Sequence, residues 1–106
     1  MARIIHTRSG VVANQYIIEG SSITIGRAAK NKIHINDAVV SALHAEIFIE
    51  QNEKGQNIFF LQDLKSKNGS YVNKKKIQCK QLRHKDRIQI GHELLTFIDQ
   101  EPSLTN

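Results

Sequence analysis

Apolar and polar residues alternate along this chain in short runs, and that pattern leaves few folds open to it. In residues 44–50, Ala45, Ile47 and Ile49 fall on one face and mostly charged or polar side chains on the other. A period of two is typical of a β-strand with one buried face. No window of ten or more residues shows the 3.6-residue period of an amphipathic helix. The sequence therefore predicts an all-β fold.

Strand candidates follow one another through most of the chain and are separated by turn residues. They are residues 3–6, 15–19, 22–26, 32–35, 44–50, 57–63, 70–72, 75–77, 87–90 and 93–99. The polar stretch 51–56 contains a glycine and predicts a hairpin loop. The pairs Asn73-Lys74 and Gly91-His92 predict two-residue hairpin turns. Short strands at intervals of about 8–12 residues indicate a β-sandwich or a barrel.

Length and composition predict one domain in a reducing compartment. A chain of 106 residues is enough for one hydrophobic core. We assign residues 1–99 to the domain and residues 100–106 to a polar tail or the start of a linker. The single cysteine, Cys79, excludes an intrachain disulfide and a Cys-rich zinc site. No apolar run is long enough to cross a bilayer, and the basic N-terminus lacks the apolar segment of a secretory signal. We therefore expect a cytoplasmic protein without membrane association.

The positive charge of the chain is concentrated in one segment. The formal net charge is +5, but residues 65–87 hold nine Lys and Arg residues against one acidic residue, which gives this segment +8. The rest of the chain is therefore net acidic, at −3. Such an asymmetry suggests an anionic partner. A lysine-rich surface that only keeps the protein soluble is the alternative, and charge alone does not separate the two.

Four short motifs lie at the ends of predicted strands. They are Gly26-Arg27, Ser41-x-x-His44, Asp63-x-x-Ser66-x-Asn68-Gly69 and Asp86-x-Ile88-x-Ile90-Gly91. In this order and spacing the chain resembles the forkhead-associated (FHA) domain family, from about Arg3 to Asp99. The resemblance implies a β-sandwich of about eleven mostly antiparallel strands. It also implies that the loops at one end of the sandwich bind phosphothreonine in a partner protein.

The chemistry of the motif residues fits a phosphate ligand. A phosphothreonine carries about −1.5 to −2 charges and three strong acceptor oxygens. Arg27 offers a planar fork of donors, and both the hydroxyl and the backbone N–H of Ser41 are expected to donate. The resemblance assigns the amide of Asn68 to the main chain of the bound peptide. Lys67 stands where the family often has Thr, so its ammonium either replaces that phosphate contact or points into solvent.

A second set of residues is expected to support the loops. Gly26 lets the chain turn sharply off its strand, and Gly69 permits the tight return into the next one. The resemblance makes His44 a buttress that acts through hydrogen bonds, and we interpret Asp63 as an acceptor that organises its loop. No acidic orienter accompanies Ser41 and His44, so we do not interpret them as a nucleophile–base pair and expect no enzymatic activity.

Three functions remain after these arguments. The first is a phosphothreonine-binding module that docks a Ser/Thr kinase, or a partner phosphorylated by one, in bacterial signalling or assembly. The second is a basic β-domain that binds nucleic acid, which we disfavour because Tyr71 is the one aromatic residue of the basic segment. The third is an FHA fold that assembles without phosphate, since Ala42 stands where the family often has Arg or Asn. The five histidines show no metal-binding spacing, and we expect neither a metal nor another cofactor.

Overall fold

Residues 2–99, the part of the chain that the computed structural model describes, form eleven β-strands and no helix. The strands are β1 (Arg3–Arg8), β2 (Val11–Ile17), β3 (Ser22–Gly26), β4 (Ile33–His34), β5 (Ala45–Gln51), β6 (Asn57–Asp63), β7 (Ser70–Val72), β8 (Lys75–Ile77), β9 (Cys79–Gln81), β10 (Arg87–Ile90) and β11 (Glu93–Ile98). The all-β prediction is confirmed. The predicted tail at 100–106 lies outside the described residues. Residues 2–99 contain no helix that is long and apolar enough to span a membrane.

The strands form two sheets that pack face to face. The large sheet has six strands in the order β2-β1-β11-β10-β7-β8, and the small sheet has five in the order β4-β3-β5-β6-β9. All neighbouring strands of the two sheets run antiparallel, except that β4 runs parallel to β3. The predicted sandwich of about eleven mostly antiparallel strands is therefore confirmed.

The alternating pattern of the sequence places one face of each sheet in a common core. Completely buried apolar side chains include Ile4, Ile25, Ile33, Ile35, Ala45, Ile47, Leu61, Ile88, Ile90, Leu95 and Phe97. The rings of Phe59 and Phe97 meet across the core with centroids 5.3 Å apart. Burial of each large apolar side chain contributes about 1.5–3 kcal/mol, so the rigid sandwich rests mainly on these residues.

The largest differences from the predicted strands are at β9 and β2. β9 was not predicted, because Cys79-Lys80-Gln81 shows no apolar alternation and becomes a strand by pairing with β6. β2 begins at Val11 instead of residue 15, because its first residues are exposed and do not alternate. Their strand conformation follows from pairing with β1 across a turn at Ser9 and Gly10, both with positive φ.

Both predicted two-residue hairpin turns are confirmed. Asn73 and Lys74 have φ values of 50° and 71°, and Val72 pairs with Lys75 across them. Gly91 and His92 likewise lie between the paired residues at the end of β10 and the start of β11. The second of these turns reaches the β4–β5 loop, because His92 donates its backbone N–H to the carboxylate of Asp37 at 2.9 Å.

Gly91 is needed where the β10–β11 turn meets the β4–β5 loop. Its φ is +61°, and an added Cβ would lie 2.6 Å from Cγ2 of Val40 and 2.7 Å from Oδ2 of Asp37. Gly55, in the β5–β6 loop, has a similar φ of +75° but open space around it. The two glycines therefore share the backbone requirement and differ in packing.

We predict that Gly91→Ala lowers the free energy of unfolding by about 2–4 kcal/mol, from left-handed backbone strain plus overpacking. Gly55→Ala is the matched control and should lose only about 1–2 kcal/mol, the backbone part. Urea denaturation of both variants measures the difference. Equal decreases in the free energy of unfolding for the two variants would show that the β4–β5 loop moves to accommodate the added methyl group without an energetic cost.

Candidate functional site

The structure brings the four predicted ligand-binding residues into one cleft at the end of the sandwich. This cleft, of about 530 Å³, is lined by Arg27, Ala38, Val39, Val40, Ser41, Ala42, Lys67 and Asn68. Its walls come from the β3–β4 loop, the β4–β5 loop and the β6–β7 loop. The lining contains two cationic side chains and no carboxylate, so the cleft is suited to an anion. We call it the cationic cleft.

Arg27 is held at its base and free at its tip. Its backbone N–H donates to the carbonyl of Ser41 at 3.0 Å, and its Nε donates to the carbonyl of Val40 at 2.9 Å. The side chain is exposed, and within residues 2–99 no carboxylate forms a salt bridge with it. The Nε contact orients the guanidinium, so its two terminal nitrogens are left to bind a ligand as a planar pair of donors.

Ser41 keeps one of the two donors that the sequence suggested. Its Oγ accepts the backbone N–H of Lys67 at 3.0 Å, which leaves the hydroxyl hydrogen free to donate. Its backbone N–H instead donates to Nδ1 of His44 at 3.0 Å. The expectation of a second phosphate contact from this N–H is therefore wrong, because a buried ring already uses it.

His44 joins two loops through both of its ring nitrogens. The side chain is completely buried. Nδ1 accepts the Ser41 N–H, so the hydrogen resides on Nε2, which donates to the carbonyl of Gly69 at 2.9 Å. The β4–β5 loop and the β6–β7 loop are thus fixed to each other by one neutral imidazole. This contact set is what a buttress needs, and His44 does not line the cationic cleft.

Asp63 organises the β6–β7 loop at its start. Its carboxylate accepts hydrogen bonds from the hydroxyls of Ser66 and Ser70, each at 2.6 Å, and from the backbone N–H of Ser66 at 3.0 Å. Burial alone would raise the pKa of Asp63, but the hydrogen bonds from Ser66 and Ser70 outweigh burial and hold the pKa below its ordinary value. The carboxylate therefore stays ionised at neutral pH as a structural acceptor.

The tip of the same loop carries Asn68 and Gly69. Gly69 has φ +88°, a conformation that favours glycine, and its N–H donates to the Ser66 hydroxyl at 2.9 Å. Asn68 is exposed, and its Nδ2 donates to the carbonyl of Val39 at 2.7 Å. One amide hydrogen and the amide oxygen of Asn68 remain for a ligand. The amide is therefore oriented by the opposite loop while facing the cationic cleft.

Asn31 is a structural residue of the site to which the sequence analysis assigned no role. It is buried, and its Nδ2 donates to the carbonyls of Ala28 at 2.8 Å and Ala42 at 2.7 Å, which ties the β3–β4 loop to the β4–β5 loop. The signal in the sequence was a polar residue just before the buried Ile33 and Ile35. Periodicity alone does not distinguish such a residue from an ordinary turn residue.

Gly26 has a different role from the one predicted. Its φ is not in the left-handed region, so a sharp turn is not what requires glycine. A Cβ at Gly26 would collide with the carbonyl oxygen of Ala42 and lie 2.7 Å from Nδ2 of Asn31. Glycine is required because the β4–β5 loop passes directly over the end of β3.

Asp37 is a second supporting residue that the sequence analysis missed. Its carboxylate accepts the backbone N–H of His92, the imidazole Nδ1–H of His92 and the backbone N–H of Val39. The backbone hydrogen bonds from His92 and Val39 are the main reason that the pKa of Asp37 lies below its ordinary value. Asp37 therefore links the β10–β11 turn to the loop that carries Val39, Val40 and Ser41.

Lys67 and Ala42 mark where this cleft departs from the family pattern. The Lys67 backbone is fixed by Ser41, whereas its side chain is exposed and forms no salt bridge within residues 2–99. Ala42 offers the cleft only a methyl group, while its carbonyl is bonded to Ala28 and Asn31. Within residues 2–99, no group of three or more His, Cys, Asp or Glu residues is placed to hold a metal ion.

We predict that His44→Ala lowers the free energy of unfolding by about 3–5 kcal/mol. The change leaves the Ser41 N–H and the Gly69 carbonyl without partners and creates a cavity at a fully buried position. His34→Ala, at an exposed position on β4, is the matched control and should change stability by less than about 0.5 kcal/mol. Urea denaturation measures both, and similar values for the two variants would exclude the bracing role.

Comparison with known proteins agrees with this geometry. The family model described as "FHA domain" matches residues 23–91, a range that contains all four motifs. The glycogen accumulation regulator GarA of Mycobacterium tuberculosis is 30% identical over 97 residues, which cover 92% of this chain and 57% of that protein. The chain thus spans little more than half the length of this relative.

Solved structures show the same fold. An FHA domain studied for its phosphothreonine-dependent interactions is 26% identical, with a TM-score of 0.80 over 95% of this chain and 98% of that one. The FHA domain of FhaA, solved in complex with the intracellular domain of Rv3910, is 28% identical, with a TM-score of 0.76 over 92% of this chain and 99% of that one. Because the family model covers well over half of the sequence and the whole described fold agrees, the chain belongs to the FHA domain family.

Proposed function

We propose that this chain is a phosphothreonine-peptide-binding module that docks a protein phosphorylated by a Ser/Thr kinase. The observation that carries the proposal is the convergence of Arg27, Ser41, Lys67 and Asn68 on one cleft without a carboxylate. Each supplies a donor that its own loop does not consume. A phosphate group attached to an extended peptide is the ligand whose charge and oxygens match this set.

The donors divide into two tasks. Arg27 and Lys67 supply positive charge for a group that carries about −1.5 to −2, and the Ser41 hydroxyl adds a neutral donor. Asn68 lies beside Lys67 on the β6–β7 loop, where its free amide hydrogen and oxygen are suited to the peptide main chain. The exposed side chain of Val39 also lines the cleft and provides an apolar contact.

The relatives support a regulatory binding role. GarA is described as a regulator of glycogen accumulation, and the related corynebacterial proteins as inhibitors of oxoglutarate dehydrogenase. FhaA provides an example of an FHA domain bound to the intracellular domain of another protein. We propose that residues 1–99 act as a non-enzymatic cytoplasmic module in bacterial signalling, and that residues 100–106 are a tail or a linker.

We predict that Arg27→Ala reduces affinity for a library-selected phosphothreonine peptide at least 100-fold, because it removes the oriented cation of the cleft. The thermal midpoint should change by only a few degrees, since the side chain is exposed. Arg83→Ala removes an equally exposed arginine outside the cleft and is the control. Isothermal titration calorimetry at two salt concentrations gives the affinities.

Two outcomes would contradict the site assignment. One is an unchanged affinity in Arg27→Ala. The other is an equal loss in both arginine variants together with a steep salt dependence, the behaviour of a nucleic-acid-binding surface on which many phosphates share the load. A gel shift with single-stranded and duplex DNA should accordingly show no specific complex.

We predict that the cleft prefers phosphothreonine to phosphoserine by more than tenfold, that is by more than ~1.4 kcal/mol. The extra methyl group gains about 0.8 kcal/mol on burial against the apolar wall at Val39, and it restricts the side-chain rotamer before binding. Calorimetry with matched phosphothreonine, phosphoserine and threonine peptides measures the preference. The unmodified peptide should not bind, and equal affinity for the two phosphopeptides would refute the methyl contact.

A further inference from the structure

The two sheets end in four edge strands, and one of them differs from the others. β4 has two residues, and β8 and β9 have three each. β8 carries Lys75 and Lys76, and β9 carries Lys80. Short strands and lysines are the usual means by which proteins prevent an edge from pairing with another chain. β2 is an edge of the large sheet with seven residues and no lysine, and a β-bulge in its pairing with β1 is the one protective feature it has.

β2 is uncharged and exposes apolar side chains. Its sequence, VVANQYI, contains no charged residue and no proline. Val11 is 68% exposed, Val12 55% and Ile17 38%, whereas most apolar residues of the described chain are buried. An edge strand of this composition is suited to strand addition.

The backbone of β2 has donors and acceptors on its free side. Ile18 donates its N–H to the carbonyl of Ala2, and Tyr16 pairs with Ile4 in the same register. Because backbone groups alternate along an antiparallel strand, those of Gln15 and Ile17 point away from β1. The Gln15 N–H is bonded only to the neighbouring side chain of Asn14, at 2.8 Å. Such a contact is readily exchanged for a carbonyl on a second strand.

We propose that β2 pairs with β2 of a second copy of this chain in a two-fold, antiparallel dimer. The pattern of the strand is self-complementary, since apolar residues at both ends (Val11 and Val12, Tyr16 and Ile17) flank a polar centre. Antiparallel pairing therefore sets apolar ends against apolar ends.

The charges next to β2 favour the same arrangement. Arg8 precedes the strand and Glu19 follows it. The Nε of Arg8 is bonded to Glu93 of its own chain at 2.9 Å, but the side chain is 57% exposed, so its terminal nitrogens can face the acid of the other copy in an antiparallel pair. Parallel pairing would instead place like charges side by side. The net charge of +5 does not oppose the contact, because the +8 segment includes β8, at the opposite edge of the large sheet.

The extent of the contact sets its strength. A β-bulge interrupts the pairing of β1 with β2 between His6 and Thr7, so the regular part of β2 is short. Two strands of this length bury less than the ~1,200 Å² of a standard interface, which places the dimer in the weak, concentration-dependent class. We expect a dissociation constant on the order of 100 µM.

The dimer has a consequence that rests on the proposed function. The Ser9-Gly10 turn lies at the end of the sandwich that carries the cationic cleft, because β1 ends beside the start of β11. Antiparallel pairing reverses one copy, so the two clefts face opposite directions. A dimer would join two phosphorylated partners, while dimerisation itself does not require the phosphate site.

Sedimentation equilibrium of the full chain between about 5 µM and 500 µM tests the pairing across the expected dissociation constant. We expect the mean mass to rise from 12.0 kDa toward twice that value. Val12→Lys and Gln15→Pro should each weaken association at least about tenfold, the first by charge and the second by removing an outward N–H. Gln56→Lys, an exposed change in the β5–β6 loop, is the control and should associate like the parent chain.

A site-specific readout and separate titrations complete the test. The amides of Gln15 and Ile17 should exchange more slowly with solvent as concentration rises. A chain that remains a monomer at every concentration, or that associates equally in all variants, overturns the proposal. The phosphopeptide affinity of Val12→Lys is measured in a separate titration. Normal phosphopeptide binding together with lost self-association confirms that β2 and the cationic cleft act independently. If the parent chain binds no phosphopeptide, that result contradicts the proposed function but not the dimer.

Discussion

The geometry of the ligand-binding end depends on one buried imidazole. His44 accepts the N–H of Ser41 with one ring nitrogen and donates to the carbonyl of Gly69 with the other. These two backbone groups belong to the β4–β5 loop and the β6–β7 loop, so the imidazole fixes the distance between the two walls of the cleft. Because the ring is completely buried, neither hydrogen bond competes with water, and loss of the ring would leave two unpaired polar groups in the interior. Asn31 has a similar bridging role on the other side of the β4–β5 loop, where its side-chain amide donates to the backbone carbonyls of Ala28 and Ala42.

The β4–β5 loop is therefore held from three directions, through its backbone and through the side chain of Asp37. Asp37 and Gly91 hold it toward the large sheet, Asn31 and Gly26 toward β3, and His44 toward the β6–β7 loop. The Oγ of Ser41 also joins these contacts, since it accepts the N–H of Lys67, whereas the side chains of Val39 and Ala42 line the cleft without taking part in them. Substitutions among them, such as Ala42 in place of a polar residue, change the ligand contacts without changing the loop path. This separation explains how the cleft retains its shape although two of its positions depart from the family pattern.

Much of the fold was predictable because burial imposes a visible period on the sequence. β5 and β6 alternate over seven residues each, and their predicted limits agree with the structure to within one residue. β9 and the first half of β2 were not predictable, since neither shows apolar alternation and both obtain their strand conformation from a neighbouring strand. The motifs indicated which residues would gather at the site. They did not indicate that the Ser41 N–H is occupied by His44, or that Gly26 is needed for a close approach, because both depend on which loop passes over which strand.

The two cations of the cleft differ in how much freedom a ligand must remove. The Nε of Arg27 is already bonded to the carbonyl of Val40, so the guanidinium plane is oriented before a ligand arrives. Lys67 has a fixed backbone but an exposed side chain that forms no salt bridge with the described part of the chain, and immobilising such a side chain costs about 1–2 kcal/mol. Its ammonium gains about as much from a charge-assisted hydrogen bond to phosphate. The two terms nearly cancel, so we expect Lys67 to contribute mainly long-range attraction and the speed of encounter. Arg27 avoids most of the entropic cost, and for this reason we expect the affinity of the cleft to reside chiefly in one side chain.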